Sequence, residues 1–448
     1  MSIKSGTKAA LPAALAVLLE MPLIGMRVLG DLQHHVGEVV ALLLATSLFY
    51  LVSIWWVTGK TTRLSTLSIV TAGVVFRVTL FTLPPALSDD LYRYRWEGRI
   101  QAEGRNPYRT TPSEAAKDST FQRVDGKDIR AVYGPLMELE EHLVYRAIAT
   151  WVTDPFSQAF WFKLPSALAD LGIAVAILSL LRARGLPANR VLIYFWCPLP
   201  IFVFWGTGHN DSLVVLSVAI ALVSAARDRW SMAYLWLSLA VAAKLWPLIL
   251  FPALTGWKPG RIFRASAILL AVAVLSSMPF GPAVFGNRDF TSGFLGGWRN
   301  NDSLFGVVLA LSHNIYRAKY LTFGFVAIAA IAISLTRWTL ERKFLATITA
   351  LLAFASNVHP WYLTWLLPML SVEPVTALFL WISLVPLFYE PVIGWVELHR
   401  WTPVGGMRWW VYGAVAVQWV VSRLPLIANQ NASQQSVHPA IRRPEQSP

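Results

Sequence analysis

Charge is scarce in this chain. Asp, Glu, Lys and Arg together make up 14% of its 448 residues, where a soluble protein of that size carries roughly 25%. The deficit excludes a globule wetted on all sides. Cysteine is nearly absent: Cys197 stands alone, so neither an internal disulfide nor a cysteine metal cage can form. No G-x-x-x-x-G-K-S/T occurs, and no G-x-G-x-x-G follows a strand, which removes the usual glycine cradles for nucleotide phosphates. Strand-like alternation of polar and apolar residues is missing too, which argues against an outer-membrane barrel. No convincing small-residue cleavage site follows the first apolar run, so a retained first helix is expected to continue to about Leu29.

What is present is apolar. Hydrophobic residues make up 55% of the chain, and runs of about 18 or more recur along it, the signature of spanning helices. The reading is an all-α polytopic membrane protein with roughly 12–14 crossings. The 21 Trp and 13 Tyr suit two water–lipid boundaries. The net charge of +13 lies in short clusters between apolar runs, so it reads as cytoplasmic anchoring to anionic lipid and not as a nucleic-acid footprint. Spans are expected near Leu11–Leu29, Val36–Val57 and Leu64–Pro84, then at Phe160–Leu181, Val191–Trp205, Ser212–Ala226 and Trp230–Ala243. A short piece at Trp246–Gly256 follows, then Ile262–Phe280, Tyr320–Trp338, Phe344–Ser356, Trp361–Leu370, Val375–Trp395 and Trp409–Leu426. Residues 1–428 form one transmembrane domain in this reading, and 429–448 a disordered cytoplasmic tail. Leu136–Val152 alternates acids with leucines and is placed flat at the interface.

The longest polar interval, within residues 86–157, holds the chemistry. It opens with Ser88-Asp89-Asp90-Leu91-Tyr92-Arg93-Tyr94, runs through Trp96-Glu97-Gly98-Arg99 and Gly104-Arg105-Asn106-Pro107-Tyr108, and closes at Tyr133-Gly134-Pro135. Adjacent carboxylates among guanidiniums and aromatics suit an anionic, hydroxyl-rich substrate. If the N-terminus is inside, most basic clusters share the cytoplasmic side. That requires Trp230–Ala243 and Trp246–Gly256 to form a hairpin of short helices. The outer face then collects Gly208-His209-Asn210-Asp211, Lys244, Arg299-Asn300-Asn301-Asp302 and Asn357-Val358-His359-Pro360-Trp361-Tyr362.

Nucleoside phosphates are scarce outside a plasma membrane, so an outer-face transferase needs a donor carried by lipid, and a polyprenyl-phosphate sugar meets that need. Its phosphate calls for Arg or Lys. Phosphate leaves readily, so departure needs charge stabilisation more than a proton, while the attacking hydroxyl needs a base. Direct displacement with one base inverts the anomeric centre. Asp89 is nominated as base with Asp90 second, and spacing alone does not separate them.

The quoted motifs of the polar interval resemble the first outer loop of GT-C glycosyltransferases, and within them the polyprenyl-phosphate-dependent mannosyltransferase-like group. The later Gly208–Asp211, Ala243-Lys244-Leu245-Trp246-Pro247 and His359–Tyr362 motifs are similar to that group as well. The resemblance spans about Leu83 to Met369. It implies that the acidic pair, Asp89 and Asp90, carries the base and that mannose is the leading sugar. The group usually reads Tyr-Pro-Pro where this chain has Tyr133-Gly134-Pro135. Expected substrate contacts are Arg93, Tyr94, Arg99, Asn106, Tyr108, Tyr133, His209, Asp211, Lys244, Asn301, His359 and Tyr362. Asp89, Asp90, His209 and Asp211 offer donors that a divalent cation accepts, yet no spacing demands one, and neither a metal nor another cofactor is expected. The expected partners are the lipid-linked donor, a glycan or glycolipid acceptor and the bilayer of a bacterial plasma membrane. The rival reading is a lipid-linked sugar flippase, which would show ionisable groups at mid-membrane and related half-sequences. Arg77 and Asp170, both inside expected spans, are read as a structural pair.

Overall fold

The computed structural model describes residues 6–58, 65–286, 289, 297–398 and 405–423. Lys4, Lys60, Arg63 and the tail from Asn429 lie outside them. The described residues fold into helices, and an isolated bridge between Asn300 and Asn357 is their one β-type pairing. From the N-terminus the chain forms α1 (Gly6–Leu29), α2 (Val36–Thr58) and α3 (Thr66–Phe81). The polar interval holds α4 (Asp90–Ala102), α5 (Pro135–Ile148) and α6 (Pro155–Trp161), and α7 (Lys163–Ala183) returns to the apolar body.

The described residues contain 5 helices long and apolar enough to cross a membrane, or 6 if one bent pair counts as a span. Helices 66–81, 211–226 and 230–243 are apolar but shorter. The difference from the expected crossings has a cause: proline. Pro198 and Pro200 split the 191–205 run into segments bent by 52°. Pro247 and Pro252 start a 3-10 turn and a one-turn helix, and Pro360, Pro368 and Pro386 do the same further on. Proline lacks the N–H that continues a helix and clashes with the preceding turn. Such breaks are tolerated at membrane depth where neighbouring segments enclose them.

The helices nearest the site are held by one buried ion pair. Arg77 of α3 donates to Asp170 of α7, and its second nitrogen reaches Phe195 O at 2.6 Å and Gly73 O at 3.0 Å. Tyr194 and Trp205 also donate to Asp170. Every strong donor and acceptor is answered, which is the condition under which a buried pair is tolerated. This is the structural role expected of the two residues.

On the polar face, α4 packs along α5. α5 turns Met137, Glu138 and Glu141 inward and leaves Leu143 66% exposed. Glu138 and Glu141 face the protein while Leu143 faces outward, a pattern consistent with a helix lying at a lipid surface.

Removing one member of the buried pair leaves the other uncompensated. Arg77→Met is expected to cost about 3–5 kcal/mol, read as a lower unfolding midpoint in detergent. Arg77→Met combined with Asp170→Asn, which can still accept from Tyr194 and Trp205, is expected to cost less than Arg77→Met alone.

Candidate active site

The two carboxylates at the start of α4 part company. Asp89 occupies the N-cap position without capping, and α4 begins at Asp90. Successive residues at a helix start leave the axis about 100° apart, so the side chains meet different neighbours. Arg123, from the loop between α4 and α5, donates through Nε (2.8 Å) and Nη2 (2.6 Å) to the same oxygen, Asp89 Oδ1. The guanidinium also lies 4.7 Å over the Tyr92 ring. Asp90 turns inward. Tyr94 donates to its Oδ2 at 3.2 Å, and His209 Nδ1 stands 3.2 Å from the same atom. The geometry of that approach does not form a hydrogen bond.

These surroundings push the two acids apart. Burial raises the Asp89 carboxyl above its usual range, and Arg123 only partly offsets it. Burial would raise Asp90 too, but the imidazole of His209 beside it outweighs burial and holds Asp90 well below the usual range.

From Asp90 a chain of contacts runs through the separated motifs and closes on itself. Tyr94 meets Tyr133, hydroxyl to hydroxyl at 3.5 Å. Lys244 Nζ lies 4.8 Å over the Tyr133 ring and donates to Asp211 Oδ2 at 2.6 Å. Trp365 Nε1 donates to the other Asp211 oxygen at 2.8 Å. Tyr362 stacks on Trp365 at 4.5 Å and sits edge-on to Trp361 at 6.1 Å. Trp361 stacks on His209 at 3.7 Å and on His359 at 4.4 Å, and His209 returns to Asp90. Neither ring nitrogen of His209 and neither amide atom of Asn210 has a hydrogen-bond partner, although these residues are 1% and 3% exposed. Buried polar atoms are almost always partnered, so such orphans mark where a ligand's oxygens belong.

Backbone chemistry sets two corners of the ring. Asp211 is the first residue of the 211–226 helix and does not cap it; its side chain is spent on Lys244 and Trp365. Gly134 N donates to Ala243 O at 2.9 Å, and a Cβ on Gly134 would overlap Ala242 O. A proline here would lose that N–H, which accounts for glycine in the Tyr133-Gly134-Pro135 turn. The turn thereby seats Tyr133 against the residue that carries Lys244. Tyr108 fixes it further by donating to Tyr133 O at 2.8 Å.

Other expected contacts fall away from the ring. Arg93 is engaged by Glu97 and by the carbonyls of Asp125, Gly126 and Ile129. Arg99 pairs with Glu103 and Ala116 O. Asn106 donates to Phe280 O, and Tyr108 packs on Phe280. Asn301 takes a positive φ of 48°, donates to Phe388 O and accepts from Tyr412, holding the 299–303 turn. Its neighbour Asn300 exchanges backbone bonds with Ser356 and Val358 and brings its amide within 3.4 Å of His359 Nδ1. Sequence reasoning missed Arg123 and Trp365 as parts of the site; Trp246, quoted within the Ala243–Pro247 motif, stacks on Trp365 at 4.2 Å. A single arginine in a loop has no spacing to announce it, and tryptophans are too common here to stand out. A groove of about 440 Å³ is lined by Gly260, Phe263, Arg264, Ala267, Ile268 and Ala271, none of them a member of the ring. Among the described residues, the donors close enough to share one ion are Glu97, Glu138 and Glu141, not Asp89, Asp90, His209 and Asp211.

The ring generates two expectations. Gly134→Ala pushes the turn off Ala242 and is expected to lower both the unfolding midpoint and transfer activity, with Leu143→Ala on the exposed side of α5 as the neutral control. Burial holds the His359 imidazole down to about 4, against about 6.5 in an unfolded chain. Between those values the unfolded state binds more protons, so the stability is fully present above about pH 6.5 and is lost as pH falls toward 4. The unfolding midpoint is therefore expected to drop through that window, and less steeply in His359→Gln.

The chain was compared with known proteins on these grounds. No curated protein matches it. The family described as alpha-(1->6)-mannopyranosyltransferase, N-terminal domain, matches residues 5–258. That segment is more than half of the chain and includes Asp89, Asp90, Tyr133, His209, Asp211 and Lys244. A multi-pass helical body with a carboxylate-bearing loop at one face fits a membrane glycosyltransferase, and the chain belongs to the MptA_B family of alpha-(1->6)-mannopyranosyltransferases.

Proposed function

We propose that this mannosyltransferase takes its sugar from a polyprenyl-phosphate donor and passes it to a glycan or glycolipid hydroxyl with inversion, Asp89 acting as general base. The observation that carries the transferase reading is the closed ring, in which Asp90, unpartnered imidazole nitrogens, a lysine and stacked aromatics from separate segments share one site; Asp89 precedes Asp90 at the start of α4 and stands outside the ring against Arg123. A pair of acids whose environments drive their proton affinities apart is a signature of divided roles. Asp89, with the higher affinity and Arg123 fixing one oxygen, suits proton abstraction. Asp90, held ionised, suits stabilisation of the positive charge that grows on the sugar.

The acceptor oxygen forms its bond to the anomeric carbon as the bond from that carbon to the phosphate oxygen breaks. The hydroxyl proton goes to Asp89, and polyprenyl phosphate departs with the electron pair. Lys244 has N–H donors beyond the one given to Asp211, and His209 has ring nitrogens without partners, so both can face the leaving phosphate. Charge stabilisation at that oxygen is the main catalytic demand. The absence of a nucleotide cradle and the clustering of basic residues support a site on the outer, periplasmic face of a bacterial plasma membrane.

The test uses purified protein in nanodiscs with labelled polyprenyl-phosphate mannose and candidate acceptors. Asp89→Asn is expected to lower kcat roughly 10²–10⁴-fold, with donor KM changed far less. Lys244→Ala is expected to weaken donor binding instead. The product is expected to carry the anomeric configuration opposite to the donor's. Wild-type turnover by Asp89→Asn would remove the base assignment. Donor lipid moved across the bilayer without transfer would replace the whole reading with that of a flippase.

A further inference from the structure

Away from the ring, at the joint between α4 and α5, three buried carboxylates meet. Glu97 lies on α4, and Glu138 and Glu141 stand three residues apart on one face of α5. Each is 0% exposed, and one oxygen from each lies within 4.8 Å of the others. The only cation paired with them among the described residues is Arg93, which bonds Glu97 at 2.8 Å. Gln101 reaches one Glu138 oxygen at 3.2 Å. The remaining oxygens, Glu97 Oε2, Glu138 Oε1 and both of Glu141, have no partner.

Glu141 is the independent sign. The other acids have neighbours that would explain their place in a polar network. Glu141 has only other acids, Glu97 and Glu138, beside it: it is wholly enclosed, and no cation or N–H donor among the described residues reaches either oxygen. Gly98, next to Glu97, lets the helices approach until a Cβ would overlap Glu141 O, so the joint cannot relax by drawing apart without losing that packing. Unanswered buried charge of this kind costs several kcal/mol per group and needs an occupant.

We propose that Glu97, Glu138 and Glu141 bind a divalent cation of the calcium or magnesium class that fastens α4 to α5. Carboxylate oxygens 2.3–2.6 Å from one ion lie at most about 5 Å from each other, the spread seen here. A set of oxygens with no nitrogen or sulfur favours a hard ion over zinc or copper. The ion adds the positive charge that Arg93 alone does not supply. Protons compete with a cation for carboxylate oxygens, and an entering cation displaces them. The site would act on the reaction only through shape. α4 presents Asp89 and Asp90 at its start, and α5 begins at the turn that seats Tyr133. The inference does not depend on the identity of the donor.

The test is metal content and metal response of the full chain in detergent. The protein is purified without chelator and its metals counted by mass spectrometry. It is then stripped with EDTA and titrated with calcium, magnesium and manganese while the unfolding midpoint is followed. About one retained or restored ion per chain is expected, with a rise of several degrees on its return. Glu141→Gln is expected to abolish that response, while Asp89→Asn and Glu140→Gln keep it, which separates this site from the transfer site and from general acidity. A wild-type protein that holds no ion and whose midpoint ignores EDTA and all three cations would overturn the proposal, as would a full response in Glu141→Gln. If Glu141→Gln does not fold, the wild-type measurement still decides. Glu141→Gln that is more stable than wild type and indifferent to metal, beside an indifferent wild type, would identify protons as the occupant.

Discussion

Asp211 is the constraint on which the site rests. It is fully buried, and its two oxygens are divided between Lys244 and the indole of Trp365. Neither partner is near it in sequence. A carboxylate enclosed in this way must keep both, because losing one leaves charge without compensation. The lysine is thereby held over Tyr133, and the tryptophan over Tyr362 and Trp246. Lys244 would otherwise extend to the lipid headgroups. A single buried acid converts a surface cation into a fixed wall of the site.

The acidic pair shows how proximity in sequence can mislead. Asp89 and Asp90 are neighbours, yet one faces a loop arginine and the other a stack of imidazole and indole rings. One-residue rotation at a helix start is enough to give two like groups opposite proton affinities. The difference follows from which segments the fold packs on each side of α4.

Much of the architecture was legible in the sequence. Long apolar runs gave the helices, and the sparse charges isolated the polar interval. The sequence motifs around the acidic pair, His209, Lys244 and His359 are expected to converge, and the structure brings Asp90, not Asp89, to His209. The arginines were not legible. Arg93 and Arg99 looked like anion ligands by composition, whereas their guanidiniums hold loop carbonyls and acids, contacts that only the path of residues 103–130 reveals. Arg123 gave no signal, since its importance comes from where a single 3-10 turn sets it down. Asn301 was singled out and its neighbour Asn300 was not, although Asn300 is the one that reaches His359. A left-handed backbone at Asn301 directs that exchange, and nothing in the spacing of two asparagines foretells it. The proline breaks were visible as residues, but whether each ends a crossing depends on the neighbours that enclose it.

The paired backbone of Asn300 with Ser356 and Val358 has a consequence for where the family's unit ends. It ties the 299–303 turn to the segment that carries His359, Trp361, Tyr362 and Trp365 to a ring whose other members lie before residue 258. A chain cut at that boundary would keep the acids and the lysine but lose the indole that completes Asp211 and the platform beneath His209. The region matched by the family is therefore half of a keyhole, and the residues beyond it supply the rest of its outline.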